Sequence, residues 1–155
     1  MEVAVLSKLL RDARLGPTRK DIVDFTSSLE DDQRLLESVV NINKAHVIMM
    51  ADCKIIDQTK AARLLNSLNR IDPKSDITKA DCEDVHMYVE EMVAEFAGSE
   101  IGGDLHIGKS RNDQVATAIR MKLREDLIEL ASQLTMFEES LLKLAEKHVK
   151  TVVPG

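Results

Sequence analysis

Four of the chain's six glycines, Gly98, Gly102, Gly103 and Gly108, fall within eleven residues, and Lys109, Ser110, Arg111 and Asn112 follow directly. Glycine lets backbone N–H groups approach a ligand closely, and a helix N-terminus attracts anions. Lys109 and Arg111 add positive charge just ahead of an apolar-periodic segment that opens near Asp113. The chemistry these residue types suggest is a pocket for a carboxylate or a phosphate. A plainer reading stays open beside it. Glycines between helices also serve as turns, lysine and arginine near a helix also stay solvated, and Asp113 suits the helix dipole without any ligand.

Residues Gly103 to Ser110 also match the pattern G-x-x-x-x-G-K-[ST] of a phosphate-binding P-loop. Such a loop needs a buried strand before it to set its curvature around the phosphates. Here the preceding residues carry helical periodicity and then a polar turn. No later apolar run ends in an aspartate that could hold Mg²⁺, and no alternation of strands and helices builds a parallel sheet. A nucleotide-binding P-loop is therefore the remote alternative.

The elements that must position this stretch read as helices. Aromatic residues are 3% of the chain: Phe25, Tyr88, Phe96 and Phe137. The prolines stand only at 17, 73 and 154, which leaves long stretches free for helices. Few aromatics and few β-branched runs argue against a sheet, so the expected class is all-α. Ser27 and Glu30 offer a capping box. The helix after it carries Leu36, Val39, Val40, Asn43, Val47 and Met50 at helical spacing. A second helix is expected over Thr59–Asn69, with Ala61, Leu64, Leu65 and Leu68 inward, and Asp72–Asp76 reads as a turn. A third carries Val85, Val89, Met92, Val93 and Phe96 on one face, with Glu90, Glu91 and Glu95 mostly off it, and ends at Gly98.

From Asp113 to about His148 there is neither proline nor glycine. Apolar residues recur at Val115, Ile119, Leu123, Leu127, Leu130, Leu134, Phe137, Leu141 and Leu144, in steps of three and four. A helix that long would measure roughly 54 Å, against a diameter of roughly 34 Å for a compact chain of this size. The stripe is expected to pack in a bundle completed by further chain or by other subunits.

Bulk properties exclude other classes. The chain has 155 residues, 21 Lys+Arg against 27 Asp+Glu, and a formal charge of −6. That acidic balance argues against a non-specific nucleic-acid binder. No apolar run approaches the roughly 20 residues that a bilayer crossing needs, and the first residues lack a signal peptide's basic region. Cys53 and Cys82 form no metal-finger or CxxC spacing and read as reduced thiols, with a cytoplasmic location expected.

The blocks Glu83-Asp84-Val85-His86, Gly103-Asp104-Leu105-His106 and Gly108-Lys109-Ser110-Arg111-Asn112-Asp113-Gln114-Val115-Ala116-Thr117 resemble, in order and spacing, the argininosuccinate lyase family of the fumarase/aspartase superfamily. Phe25-Thr26-Ser27-Ser28-Leu29, with Asp32 and Leu35, resembles that family's N-terminal serine segment, and Thr151–Gly155 the stem of a further motif. The match touches the whole chain and is strong from about Glu83 to Asp126. The resemblance implies a carbon–nitrogen lyase that splits argininosuccinate into arginine and fumarate with no metal or organic cofactor. It also implies a helical homotetramer built on a long-helix bundle, with active sites shared among subunits. By this correspondence residues 1–111 are an N-terminal helical lyase domain and 112–155 the start of the bundle. Ser28 and Asn112 would contact substrate, and Lys109, Ser110 and Arg111 would line the anion pocket. His86 is the candidate for catalysis, beside the ordinary alternative of a structural histidine. His106 stands in the same position between readings. Ser28 is equally suited to a simple helix cap, and His46 and His148 are assigned no role.

Three positions depart from the family pattern. Lys109 replaces a usual arginine, exchanging a planar fork for a point charge. Ile107 replaces a usual threonine and removes a hydroxyl. Arg11–Gly16 is a loose version of the family's opening. The family motif that begins like Thr151–Gly155 continues into a Tyr-Thr-His-Leu-Gln block, with a mobile serine loop farther on. Without those segments the expectation is a lyase portion that is catalytically silent alone. The competing class is a non-catalytic helical oligomerisation or interaction module that uses the exposed stripe to bind a partner.

Overall fold

A computed structural model of the chain describes residues 19–154, and the Arg11–Gly16 block lies outside them. Among the described residues every regular element is helical. Helix α1 covers Lys20–Thr26 and α2 covers Leu29–Asp32, followed by a 3-10 turn at Gln33–Leu35. Then come α3 (Leu36–Asp52), α4 (Gln58–Asn69), α5 (Val85–Ala97), α6 (Ser99–Gly103), a 3-10 turn at Asp104–His106, and α7 (Arg111–His148). The all-α class read from composition is the class observed.

The packing divides the chain into two units, one reaching to Ile119 and one beginning at Arg120. In the first unit α3, α4 and α5 pack pairwise, and α6 lies against α5. The apolar face read on α3 is its buried face: Leu36, Val39, Val40, Val47 and Met50 join Leu64 and Leu68 of α4 and Val85, Val89 and Val93 of α5 in one core. Each such side chain contributes roughly 1.5–3 kcal/mol when fully buried. The expected turn forms at Asp72–Ser75. Gln33 braces it across the fold: its Nε2 donates to Ser75 O and its Oε1 accepts from Ile77 N, both at 2.8 Å. Arg70 lies 3.8 Å over the Phe96 ring. Cys53 is exposed, and burial pushes the Cys82 thiol up to about 12.

Three local expectations are corrected. The Ser27–Glu30 capping box does not form. Ser28, rather than Ser27, takes the cap position of α2; it makes no cap bond, and its hydroxyl donates to the Asp32 carboxylate at 2.7 Å, a charge-assisted hydrogen bond. The glycine-rich stretch is largely helical, as α6 and a 3-10 turn. Gly102 permits this, since a Cβ there would lie 2.6 Å from Ala94 Cα. Glu90 is buried rather than turned off the core, and it tolerates burial through partners described below.

The second unit, taken by itself, is the helical continuation from Arg120. Leu123, Leu127, Leu130, Leu134, Phe137, Leu141 and Leu144 are each about half exposed. Ion pairs at helical spacing, a half-buried Lys122–Asp126 at 3.1 Å and an exposed Lys143–Glu139 at 2.6 Å, decorate it. No helix of the described residues is long and apolar enough to cross a membrane.

Candidate functional site

The site is assembled at the start of α7, within the first unit. Asp84 precedes α5 in extended conformation, and its Oδ1 accepts the Met87 N–H at 2.8 Å. Its other oxygen, Oδ2, accepts from Arg111 Nη1. One carboxylate therefore caps α5 and fixes the first side chain of α7. Glu90, on the same helix, has 9% of its side chain exposed; its Oε1 accepts from His106 Nδ1 at 2.9 Å, and its Oε2 lies 3.9 Å from Arg111 Nη2.

The serine segment is tied to the same helix end. Ser28 N donates to Glu83 O at 2.9 Å, and Asp32 Oδ2 accepts both Ser28 Oγ at 2.7 Å and Val85 N at 3.4 Å. From the other side α3 holds the segment leading into α7. His46 Nε2 donates to Ile107 O at 2.8 Å, and Lys109 Nζ donates to the buried Asn43 Oδ1. Between those two anchors Gly108 adopts φ +68°, a conformation that L side chains rarely take. Asn43 Nδ2 in turn donates to Val39 O at 2.9 Å.

Electrostatics follow burial. Desolvation pushes the Lys109 ammonium down to about 8, against the opposing pull of Glu90. His86 is 3% exposed, and burial lowers its pKa below the ordinary histidine value despite the carboxylates of Asp84, Asp32 and Glu90. Its Nδ1 has no hydrogen-bond partner among the described residues, and the same is true of the buried Gln114 Nε2 in the first turn of α7. Burial also lowers His46.

Of the residues singled out from the sequence, Lys109 and Arg111 are half-buried with their charges engaged by Asn43 and Asp84. Ser110 and Asn112 flank Arg111 and are exposed, and Ser28 is half-buried against the α5 start. His86 lies beneath the surface rather than in an open cleft. The P-loop alternative loses its footing, because Gly103–Ser110 follows a helix and the Lys109 ammonium is held by Asn43. Sequence reading missed Glu90 and His46. Asn43 offered a signal, as an amide on an otherwise apolar helix face, where burial demands a partner. Among the described residues no group of three or more His, Cys, Asp or Glu side chains gathers where it could hold a metal ion.

Compared with known families, residues 22–155 match the family described as lyase. The chain belongs to that family. Among curated lyases it is similar to the argininosuccinate lyase of Methanosarcina barkeri, 35% identical over 153 residues that make up 97% of this chain and 31% of that protein. The argininosuccinate lyase of Haloarcula marismortui is 38% identical over 140 residues, 90% of this chain and 27% of that protein. That of Nitrosopumilus maritimus is 36% identical over 143 residues, 92% and 30%. The chain thus spans about 30% of the length of these lyases.

Proposed function

We propose that this chain supplies the N-terminal share of an argininosuccinate lyase active site, acting in arginine biosynthesis in the cytoplasm. The observation that carries the proposal is the convergence of Arg111, Asp84, Lys109 and Ser28 at the start of α7, in a chain similar over nearly its whole length to argininosuccinate lyases. The substrate class is an amino-linked polycarboxylate. Arg111, its fork oriented by Asp84, grips one carboxylate. Lys109 adds charge, and the exposed Ser110 and Asn112 complete a pocket at a helix N-terminus whose first-turn N–H groups lack intrahelical acceptors.

Elimination removes a proton from the carbon next to a carboxylate, and the electron pair becomes the fumarate double bond as the carbon–nitrogen bond to the arginine part breaks. Negative charge builds on the carboxylate in between, and donors already held in place stabilise it. No cofactor is required for that sequence. His86 is the candidate for proton handling on this chain, with the principal proton-transfer groups assigned to the remaining length of the relatives. Residues 1–111 serve as the helical lyase domain, and 112–155 begin the bundle through which copies associate, as a tetramer in the complete enzyme. The chain alone is expected to release no fumarate.

The test is complementation. The chain is co-expressed with the complementary portion of the Methanosarcina barkeri protein, and fumarate release from argininosuccinate is followed. Release by the pair and none by either part supports the proposal, and a silent pair of soluble, associated parts contradicts it. The half-exposed stripe of the second unit favours one further reading, a non-catalytic interaction module. That reading predicts self-association of the chain with no response of its stability to argininosuccinate.

A further inference from the structure

The site contains a buried acid that no substrate-binding role accounts for. Glu90 lies on α5, with 9% of its side chain exposed. One of its oxygens accepts from His106 Nδ1 at 2.9 Å, and the other faces Arg111 Nη2 at 3.9 Å, beyond hydrogen-bond reach but within ion-pair distance. Asp84 holds the other arm of the same guanidinium. The Arg111 fork is thus flanked by two carboxylates of one helix and its cap, while His106 ends the 3-10 turn just before the 107–110 segment.

We propose that Glu90 is a positioning residue of this site: it fixes the direction of the Arg111 fork and the place of the 106–110 segment, and it does not itself meet the ligand. This rests on the reading of the α7 start as an anion pocket. The physical reason is that a buried carboxylate is tolerated only where a counter-charge and hydrogen bonds answer it, and Glu90 finds the Arg111 guanidinium and a hydrogen bond from His106. In exchange it lends the half-buried cations a fixed counter-charge. Lys109 is the most sensitive reporter, since it faces Asn43 and His46 from α3, Glu90 from α5 and Arg111 from α7. A flexible fork would have to be ordered by each incoming carboxylate, and a preset fork would not.

The experiment compares the 155-residue chain with Glu90→Gln, which keeps the shape and removes the charge. Two nuclear magnetic resonance readouts apply: rotation of the Arg111 guanidinium, seen in its Nη resonances, and the titration midpoint of the Lys109 ammonium. The expected result is faster fork rotation together with a Lys109 midpoint lower by about half a pH unit, since a favourable charge has been lost. A folded variant with both readouts unchanged overturns the proposal. If Glu90→Gln does not fold, Glu90→Asp carries the test, because it retains the charge and shortens the reach. Faster fork rotation with the Lys109 midpoint held then supports positioning, and unchanged rotation overturns it. Titrating the parent chain with fumarate examines the anion-pocket reading separately. Unmoved Lys109 and Arg111 resonances there count against that reading while leaving the Glu90 comparison intact.

Discussion

Arg111, the first residue of α7, donates through Nη1 to Asp84 Oδ2, while Asp84 Oδ1 accepts the Met87 N–H at 2.8 Å as the cap of α5. One carboxylate thereby sets the start of one helix and the leading side chain of another. Structure and proposed substrate grip converge on the same two residues, which gives the pair distinct and separable consequences.

Replacing Asp84 with alanine removes the cap and leaves Arg111 with the more distant Glu90. A lost cap costs typically ~1 kcal/mol, and a weakened, partly exposed charge-assisted bond adds about as much again. Urea unfolding should therefore show a loss of about 1–3 kcal/mol for Asp84→Ala. Asp84→Asn, which retains an acceptor for the cap, should lose less. Equal losses would place the whole effect in the Arg111 bond.

Lys109 makes a pH prediction. Burial moves its ammonium from the ordinary 10.5 to about 8. Between those values the unfolded chain holds a proton that the folded chain has released, so this group makes stability rise with pH from about 8 towards 10.5 and adds no slope below. The unfolding free energy of the parent relative to Lys109→Met should shift towards the parent across that window. A difference that stays flat would contradict the buried placement.

Two adjacent glycines should behave oppositely. A Cβ at Gly102 meets Ala94 Cα at 2.6 Å, whereas one at Gly103 meets nothing within 4 Å. Gly102→Ala is expected to destabilise by about 1–3 kcal/mol through overpacking of α6 on α5. Gly103→Ala should be neutral or slightly stabilising, by at most about 1 kcal/mol. Thermal melts of the two variants side by side read the contrast directly.

The second unit should report on association. Leu127 and Leu134 stand on the apolar stripe with about half their surface exposed. Changing both to glutamate should leave the helical signal of the first unit in place and shift sedimentation towards the monomer. A parent chain that sediments as a well-folded monomer would remove the stripe's proposed role.

The sequence reveals the long-range plan better than the close contacts. Three- and four-residue apolar spacing located α3, α4, α5 and the long helix, because a helix face buried in a core must repeat that way. Leu36, Val47 and Met50 accordingly lie where their spacing put them. Spacing is silent on polar partners chosen across the fold. Glu90 stands beside Val89 on a helix with several acids, and only the packing brings it to His106 and Arg111. His46 and Ile107 are 61 positions apart and are joined by one hydrogen bond that only the fold brings about. The Ser27–Glu30 pattern failed because α2 starts at Leu29, which puts Ser28 and not Ser27 at the cap position, and the Ser28 hydroxyl reaches the Asp32 carboxylate. The block from Lys109 to Asn112 was legible as a candidate site, and the carboxylates beside Arg111 were not.

The central claim, that this chain brings a carboxylate grip to a lyase site, is tested most directly by the kinetics of Arg111→Ala in the complemented pair. Loss of one charge-assisted grip should raise KM for argininosuccinate at least about tenfold, and restoration of Arg111 should return it. Fumarate release with KM and kcat both unchanged in Arg111→Ala would contradict the account.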